Sequence, residues 1–185
     1  MNLMPFDELN TFKAQLATHF DEEGHIRSRE DCDDIIDEML DLYLLACADG
    51  AEQVNADMGT DYSIGVHRAA DIIEREVAGK TWRERVNDYF ETGGTIADIE
   101  RIAETEMHRD YNEAGYVTAE AVGATTKVWH CMMLPTSRDS HIFLDGVTAP
   151  IDGYFYTYTG AYAMFPGEFG DPENDCNCLC YCTYR

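Results

Sequence analysis

Apolar residues at Phe6, Leu9, Phe12, Leu16 and Phe20 recur every three or four positions, which predicts a helix with one buried face, ending at Gly24. Ser28, with Asp31 three residues on, predicts the cap of a second helix whose inward stripe is Cys32, Ile35, Ile36, Met39, Leu40, Tyr43 and Cys47. Its other face carries Glu30, Asp31, Asp33, Asp34, Asp37, Glu38 and Asp41, a solvated acidic surface without the spacing of a calcium-binding EF-hand loop. Gly50 and Gly59-Thr60-Asp61 punctuate the chain, and Ile64, Ala69, Ile73 and Val77 predict a third helix. Thr81 to Glu84 reads as a capping box for a helix that turns Trp82, Val86, Tyr89 and Phe90 inward and breaks at Gly93-Gly94. Thr95 opens a long helix, with Ile96, Ile99, Ala103, Met107 and Ala114 inward and Arg101, Glu104 and Arg109 outward, fraying near Gly123.

From Thr125 the period shortens. Lys127 to Leu134 is an apolar run of strand length ended by Pro135. Thr136 or Ser137 caps a short helix terminated by Gly146, on which Arg138, His141 and Asp145 share one face. Pro150 to Gly153 reads as a turn, and Tyr154, Tyr156 and Tyr158 alternate with Phe155, Thr157 and Thr159 in the period of a strand. Phe165 to Asn174 is a loop, and a last strand runs from Cys176 to Tyr184. The pattern predicts an α+β fold: an acidic helical region over residues 1–94, then a module over 95–185 made of the long helix and a small antiparallel sheet with one short helix.

Charge changes this picture in one respect. The 185 residues carry a formal charge of −23, of which −19 (29 acids, 10 bases) falls before Lys127 and −4 (7 acids, 3 bases) from there on. Such a surface repels phosphate backbones and argues against tight DNA binding, which needs clustered Lys and Arg. No apolar run approaches the roughly 20 residues that span a bilayer, and Met1 to Asp7 lacks the basic region of a signal peptide. The expected place of synthesis is a cytoplasm, where the seven cysteines stay mostly reduced.

Two clusters carry candidate chemistry. Arg138, His141 and Asp145 offer an imidazole with a carboxylate one turn away, an arrangement that could serve a general base but more commonly ties down neighbouring loops; no serine or cysteine nucleophile sits in a recognised signature beside it. Cys176, Cys178, Cys180 and Cys182 alternate, so in a regular strand all point to one face. Thiolates sharing a zinc ion lie within about 4 Å of each other, whereas i and i+2 positions of a strand are about 6.5–7 Å apart. Zinc therefore needs a bulge, or help from His130, Cys131 or His141; the candidate metal set is Cys131, His141, Cys178 and Cys180, against a reading of the cysteines as small buried residues. The tyrosines from Tyr154 to Tyr162 have no Lys or Arg between them, which favours a sheet face or protein interface over base stacking.

The order Lys127-x-Trp129, Arg138-Asp139-Ser140-His141-x-x-Leu144-Asp145-Gly146, Pro166-Gly167, Gly170-Asp171-Pro172 and Asn177-Cys178-Leu179-Cys180 resembles the C-terminal module of the phage Mu F-like head morphogenesis family. Ile102 to Glu106 and Asn112 extend the resemblance upstream, over about 80 residues from Ile102 to Tyr181. Departures are Leu134 to Ser137, where the family carries acidic and basic residues, and Leu179, where it carries arginine. The resemblance implies a minor head protein of a tailed bacteriophage, made in the host cytoplasm and placed in the head interior or at the portal vertex. Its partners would be portal, coat or scaffold protein, and Lys127, Trp129, Arg138, His141 and Asp145 would form the module's cluster. The family's fold also looks related to ADP-ribosyltransferases, which makes an effector using Glu104 or Glu106 a second reading; a zinc-stabilised interaction module is a third.

Overall fold

The computed structural model describes residues 6–185. The reading of Met1 to Pro5 as a start without a basic leader, and the inward assignment of the Phe6 side chain, lie outside what is described. Helix α1 (Phe6–Leu16) runs into a single 3-10 turn, Ala17–His19, and Phe20 then bridges to Ile26. Helix α2 (Arg29–Met58) starts on Ser28, whose hydroxyl accepts the Asp31 amide at 3.0 Å, and stops at Gly59 in the left-handed region. It passes straight through Gly50, a position where the sequence suggests a break. The reason is tertiary: Gly50 sits where the chain of α5 (Ile96–Ala121) comes closest, and a Cβ there would stand 2.1 Å from the Tyr111 carbonyl oxygen.

Helix α3 (Val66–Ile73) buries Ala69, Ile72 and Ile73 and ends before Val77, which folds back on Lys80. Helix α4 (Trp82–Thr92) carries the predicted capping box, with Thr81 and Glu84 bonded reciprocally, and ends on Gly93. In α5, Asp98 takes both the amide and the hydroxyl of Thr95. These helices enclose a core of Leu16, Ile35, Met39, Tyr43, Trp82, Ile99 and Met107, with Tyr43 edge-on to Trp82 at 4.9 Å.

One prediction for α5 is overturned. Arg109 is buried rather than outward: its guanidinium pairs with Glu106, reaches Asp110 at 2.8 Å and donates to the Ile72 carbonyl at 3.3 Å. Glu106 also receives Arg85 at 2.6 Å. A buried arginine persists because two carboxylates and a carbonyl surround it, which hydrophobic periodicity does not register.

The chain then forms β1 (Thr126–His130), α6 (Asp139–Ile142), β2 (Thr148–Pro150), β3 (Phe155–Tyr156), β4 (Tyr162–Ala163), α7 (Pro172–Asp175) and β5 (Tyr181–Tyr184). The main sheet is antiparallel in the order β2-β1-β5, with Trp129 opposite Cys182; β3 and β4 make a separate hairpin. The class is therefore α+β, with helices first and the small sheet after. Strands are shorter than predicted. β1 stops at His130, and the predicted Tyr154–Thr159 strand is reduced to two residues. The last strand begins at Tyr181, because Asn177 takes a positive φ of 54° and Cys176 to Cys180 turn instead of extending. A second core of Trp129, Leu144, Phe155, Cys178, Cys180, Cys182 and Tyr184 also receives Val54 from α2 and Ala119 from α5, so α5 serves both cores. Among the described residues no helix is long and apolar enough to cross a membrane.

Candidate metal centre

The turn at Cys176–Cys180 decides what the cysteines can do. Instead of spacing alternate thiols along a strand, it folds Cys178 and Cys180 toward α6, where His141 Nδ1 stands 3.4 Å from one Sγ and 3.7 Å from the other. The three donor atoms lie within 4.8 Å of one another, and all three residues are buried. Bonds of about 2.3 Å to sulfur and 2.0 Å to nitrogen in a tetrahedral site put donors about 3.5–3.8 Å apart. The two nitrogen–sulfur distances already meet that requirement. His141, Cys178 and Cys180 thus form a triad able to hold a metal ion; Cys131, the fourth predicted ligand, is buried in the same core without joining the convergent set.

Each ligand is held from outside. Asn112 on α5 donates to the Cys180 carbonyl at 3.1 Å, and Thr105 Oγ1 on the same helix accepts the Asn177 amide at 3.3 Å. Arg138 donates to the Cys176 carbonyl at 2.6 Å. These three bonds clamp the cysteine turn from both sides. Across the ring, His141 Nε2 faces Asn174 Oδ1 at 3.4 Å, and the Asn174 amide nitrogen is held by both Asp171 oxygens at 3.1 and 3.0 Å. With its nitrogen committed to Asp171, Asn174 presents its oxygen to His141 and assigns the proton to Nε2. Nδ1 is left with a lone pair toward the sulfurs, the outer-shell arrangement that metal-binding histidines use. Phe169 stacks on the imidazole at 5.2 Å, and Trp129 meets its edge at 5.8 Å.

Electrostatics suit a thiolate ligand. Hydrogen bonding from Cys180 pulls the Cys178 thiol well below its ordinary range against the opposing effect of burial. The same sharing, with burial added, pushes the Cys180 thiol up. The two thiols share a proton, so one thiolate forms first and a cation would supply the charge that lets the second ionise. Beside the triad, Met132, Arg138 and Leu179 help to line a cavity of about 20 Å³. That is room for one water molecule, enough for a fourth ligand.

The predicted Arg138, His141 and Asp145 face does not survive as a relay. Arg138 precedes α6 and bonds Cys176, His141 turns to the cysteines, and Asp145 accepts the Cys131 amide at 2.9 Å. The reason is the length of α6: only four residues are helical, so the spacing that would align the three is lost. Lys127 is buried under β1, donating to the Ile151 carbonyl at 2.7 Å above the Tyr116 ring at 4.8 Å, and burial pushes its ammonium down to about 8. Glu104 pairs with Lys13 at 3.0 Å, and Glu106 is in the buried arginine cluster. Asn174, Asp171 and Phe169 were not among the predicted site residues. Asp171-Pro172 followed by Asn174 is a legible helix start, with Asp171 accepting the Asn174 amide, but the sequence does not say that α7 lands on His141.

No family model, no curated protein and no solved structure matches the chain.

Proposed function

We propose that this chain is a non-catalytic assembly protein, a minor head protein of a tailed bacteriophage, whose C-terminal module is closed by a zinc ion on His141, Cys178 and Cys180. One observation carries the reading. The residues behind the resemblance are spent on holding chain segments together: Thr105 and Asn112 on the cysteine turn, Arg138 on Cys176, Asp145 on Cys131, Lys127 on Ile151. The space beside the triad, about 20 Å³ and lined by Arg138, His141, Cys178 and Cys180, admits water and no organic substrate. Glu104 and Glu106 are engaged in ion pairs rather than facing that space, which weighs against the ADP-ribosyltransferase reading. Two thiolates and an imidazole form a soft donor set that favours zinc over magnesium or calcium. The acidic helices would then meet a basic surface of portal, coat or scaffold protein, with charge steering the encounter.

The assembly role is tested by quantifying the protein against portal in purified virions and procapsids by mass spectrometry. A constant low copy number in either particle supports it, and absence from both overturns it. For the zinc, elemental analysis of the purified protein should give about one equivalent, lost with Cys178→Ser; a metal-free protein that binds neither zinc nor cobalt refutes that half.

A further inference from the structure

Phe169, which stacks on His141, also lines a second cleft of about 420 Å³ together with Tyr154, Gly160, Ala161 and Tyr162. The rings of Tyr154 and Tyr162 meet at 87° with centroids 5.2 Å apart, so one presents its face where the other presents its edge. Both are substantially exposed, at 44% and 56%. Two carboxylates, Glu168 and Asp171, line the cleft as well, and among the described residues no basic one does. They are not equivalent. Asp171 is occupied on both oxygens by Asn174, whereas Glu168 accepts the Met164 amide on Oε2 alone, at 2.7 Å. Aromatic faces beside a carboxylate, in a cleft that no cation among the described residues lines, are the surroundings that a planar guanidinium satisfies best: it stacks on the ring and forks to the acid.

We propose that this cleft receives an arginine side chain of a partner protein, with Tyr154 and Tyr162 stacking on the guanidinium and Glu168 accepting its hydrogen bonds. The proposal deepens the assembly reading only in taking the partner to be a protein; the chemistry of the cleft stands without it. A generally acidic protein attracts any cation weakly, so the distinguishing feature is place. The glycine at 160 and the alanine at 161 contribute no long side chain to the cleft. His141, Cys178 and Cys180 do not line it, so its occupancy does not require the metal centre to open.

The test is an NMR titration of the full chain with acetyl-Gly-Arg-Gly-amide, against the same peptide with neutral citrulline in place of arginine. Shifts confined to Tyr154, Gly160, Ala161, Tyr162 and Phe169, absent with citrulline, are the expected result. Tyr162→Leu and Glu168→Gln, each checked for an unchanged amide spectrum elsewhere, should weaken binding by about 3–10-fold, the size of one partly exposed cation–π or charged contact. Asp34→Asn with Asp37→Asn, on the exposed face of α2, should leave it unchanged. Equal response to citrulline, shifts spread along α2, or weakening by the α2 pair alone would overturn the proposal. Arginine binding with no virion copies would sink the assembly reading and leave the cleft standing; virion copies with no arginine binding would do the reverse.

Discussion

Replacing Gly50 by alanine sets two effects against each other. An alanine in a helix interior is worth about 1 kcal/mol over glycine, and Gly50 lies in the interior of the 30-residue α2. Against that, the new methyl carbon would stand 2.1 Å from the Tyr111 oxygen, 3.0 Å from its carbonyl carbon and 3.2 Å from the Gly115 nitrogen, all backbone atoms, where ordinary contact begins at 3.4 Å. The shortfall at the oxygen is 3.4 − 2.1 = 1.3 Å. No side chain can rotate away, so α2 and α5 must part by about 1 Å along a stretch that includes Cys47, Val54 and Ala114. A gap of about 0.5–1 Å already forfeits a quarter to a half of each dispersion contact, and overpacking of this kind costs about 1–3 kcal/mol or more. Taking the upper end, because the obstacle is backbone, leaves a net loss of about 2 kcal/mol after the propensity gain. For a chain of this size that lowers Tm by roughly 4–8 °C. Gly115→Ala, whose Cβ would meet the Gly50 oxygen at 3.3 Å, should cost less. Thermal unfolding followed by circular dichroism measures both. A Gly50→Ala protein as stable as the parent, or more so, would refute the close-crossing account and leave helix propensity in charge.

Three further outcomes follow from the geometry. Asn174→Ala frees His141 Nε2 from its orienting oxygen, and zinc affinity should fall by about 10–100-fold in a competition titration with a chromophoric chelator. Burial pushes the imidazole of His108 down to about 3, below its usual 6.5, so the folded protein takes up that proton later than the unfolded chain does. Its contribution is intact above pH 6.5 and lost as pH falls toward 3, at about 1.4 kcal/mol per pH unit; the denaturant midpoint should therefore drop less between pH 7 and pH 5 in His108→Gln than in the parent. The neighbouring Asp110, which burial pushes up to about 8 against the charge of Arg109, works in the opposite sense, and it cancels in that comparison to the extent that the substitution leaves it alone. Lys127 should titrate near pH 8 by NMR of its ε-methylene, where an exposed lysine would titrate about two units higher.

How much was legible in the sequence varied with the range of the interaction concerned. Caps and stops are written in adjacent residues, so Ser28, the Thr81–Glu84 box and the glycine at 93 could be read where they stand. The α+β order was legible for the same reason, since the change of hydrophobic period near Thr125 is a local signal. Three of the four predicted metal ligands, His141, Cys178 and Cys180, come together, but by a route that strand geometry argued against. Spacing along a regular strand keeps alternate thiols apart, and although asparagine tolerates a positive φ better than most residues, its presence at 177 does not by itself require one.

What the sequence determined by itself is the order of the first five helices, the acidic outer face of α2 and the presence of soft ligands in the C-terminal third, because each depends on residues within a turn or two of one another. Tertiary structure decided the rest. Gly50 is a crossing point rather than a break because α5 passes there. Arg109 is buried because Glu106, Asp110 and Ile72 meet around it. The cysteines form a centre because Thr105, Asn112 and Arg138, 38 to 72 residues away, bend their segment into a turn. Backbone conformation within a few residues answers to local preference, but a buried polar atom is satisfied by whichever partner the fold brings near, and that partner has no fixed distance along the chain.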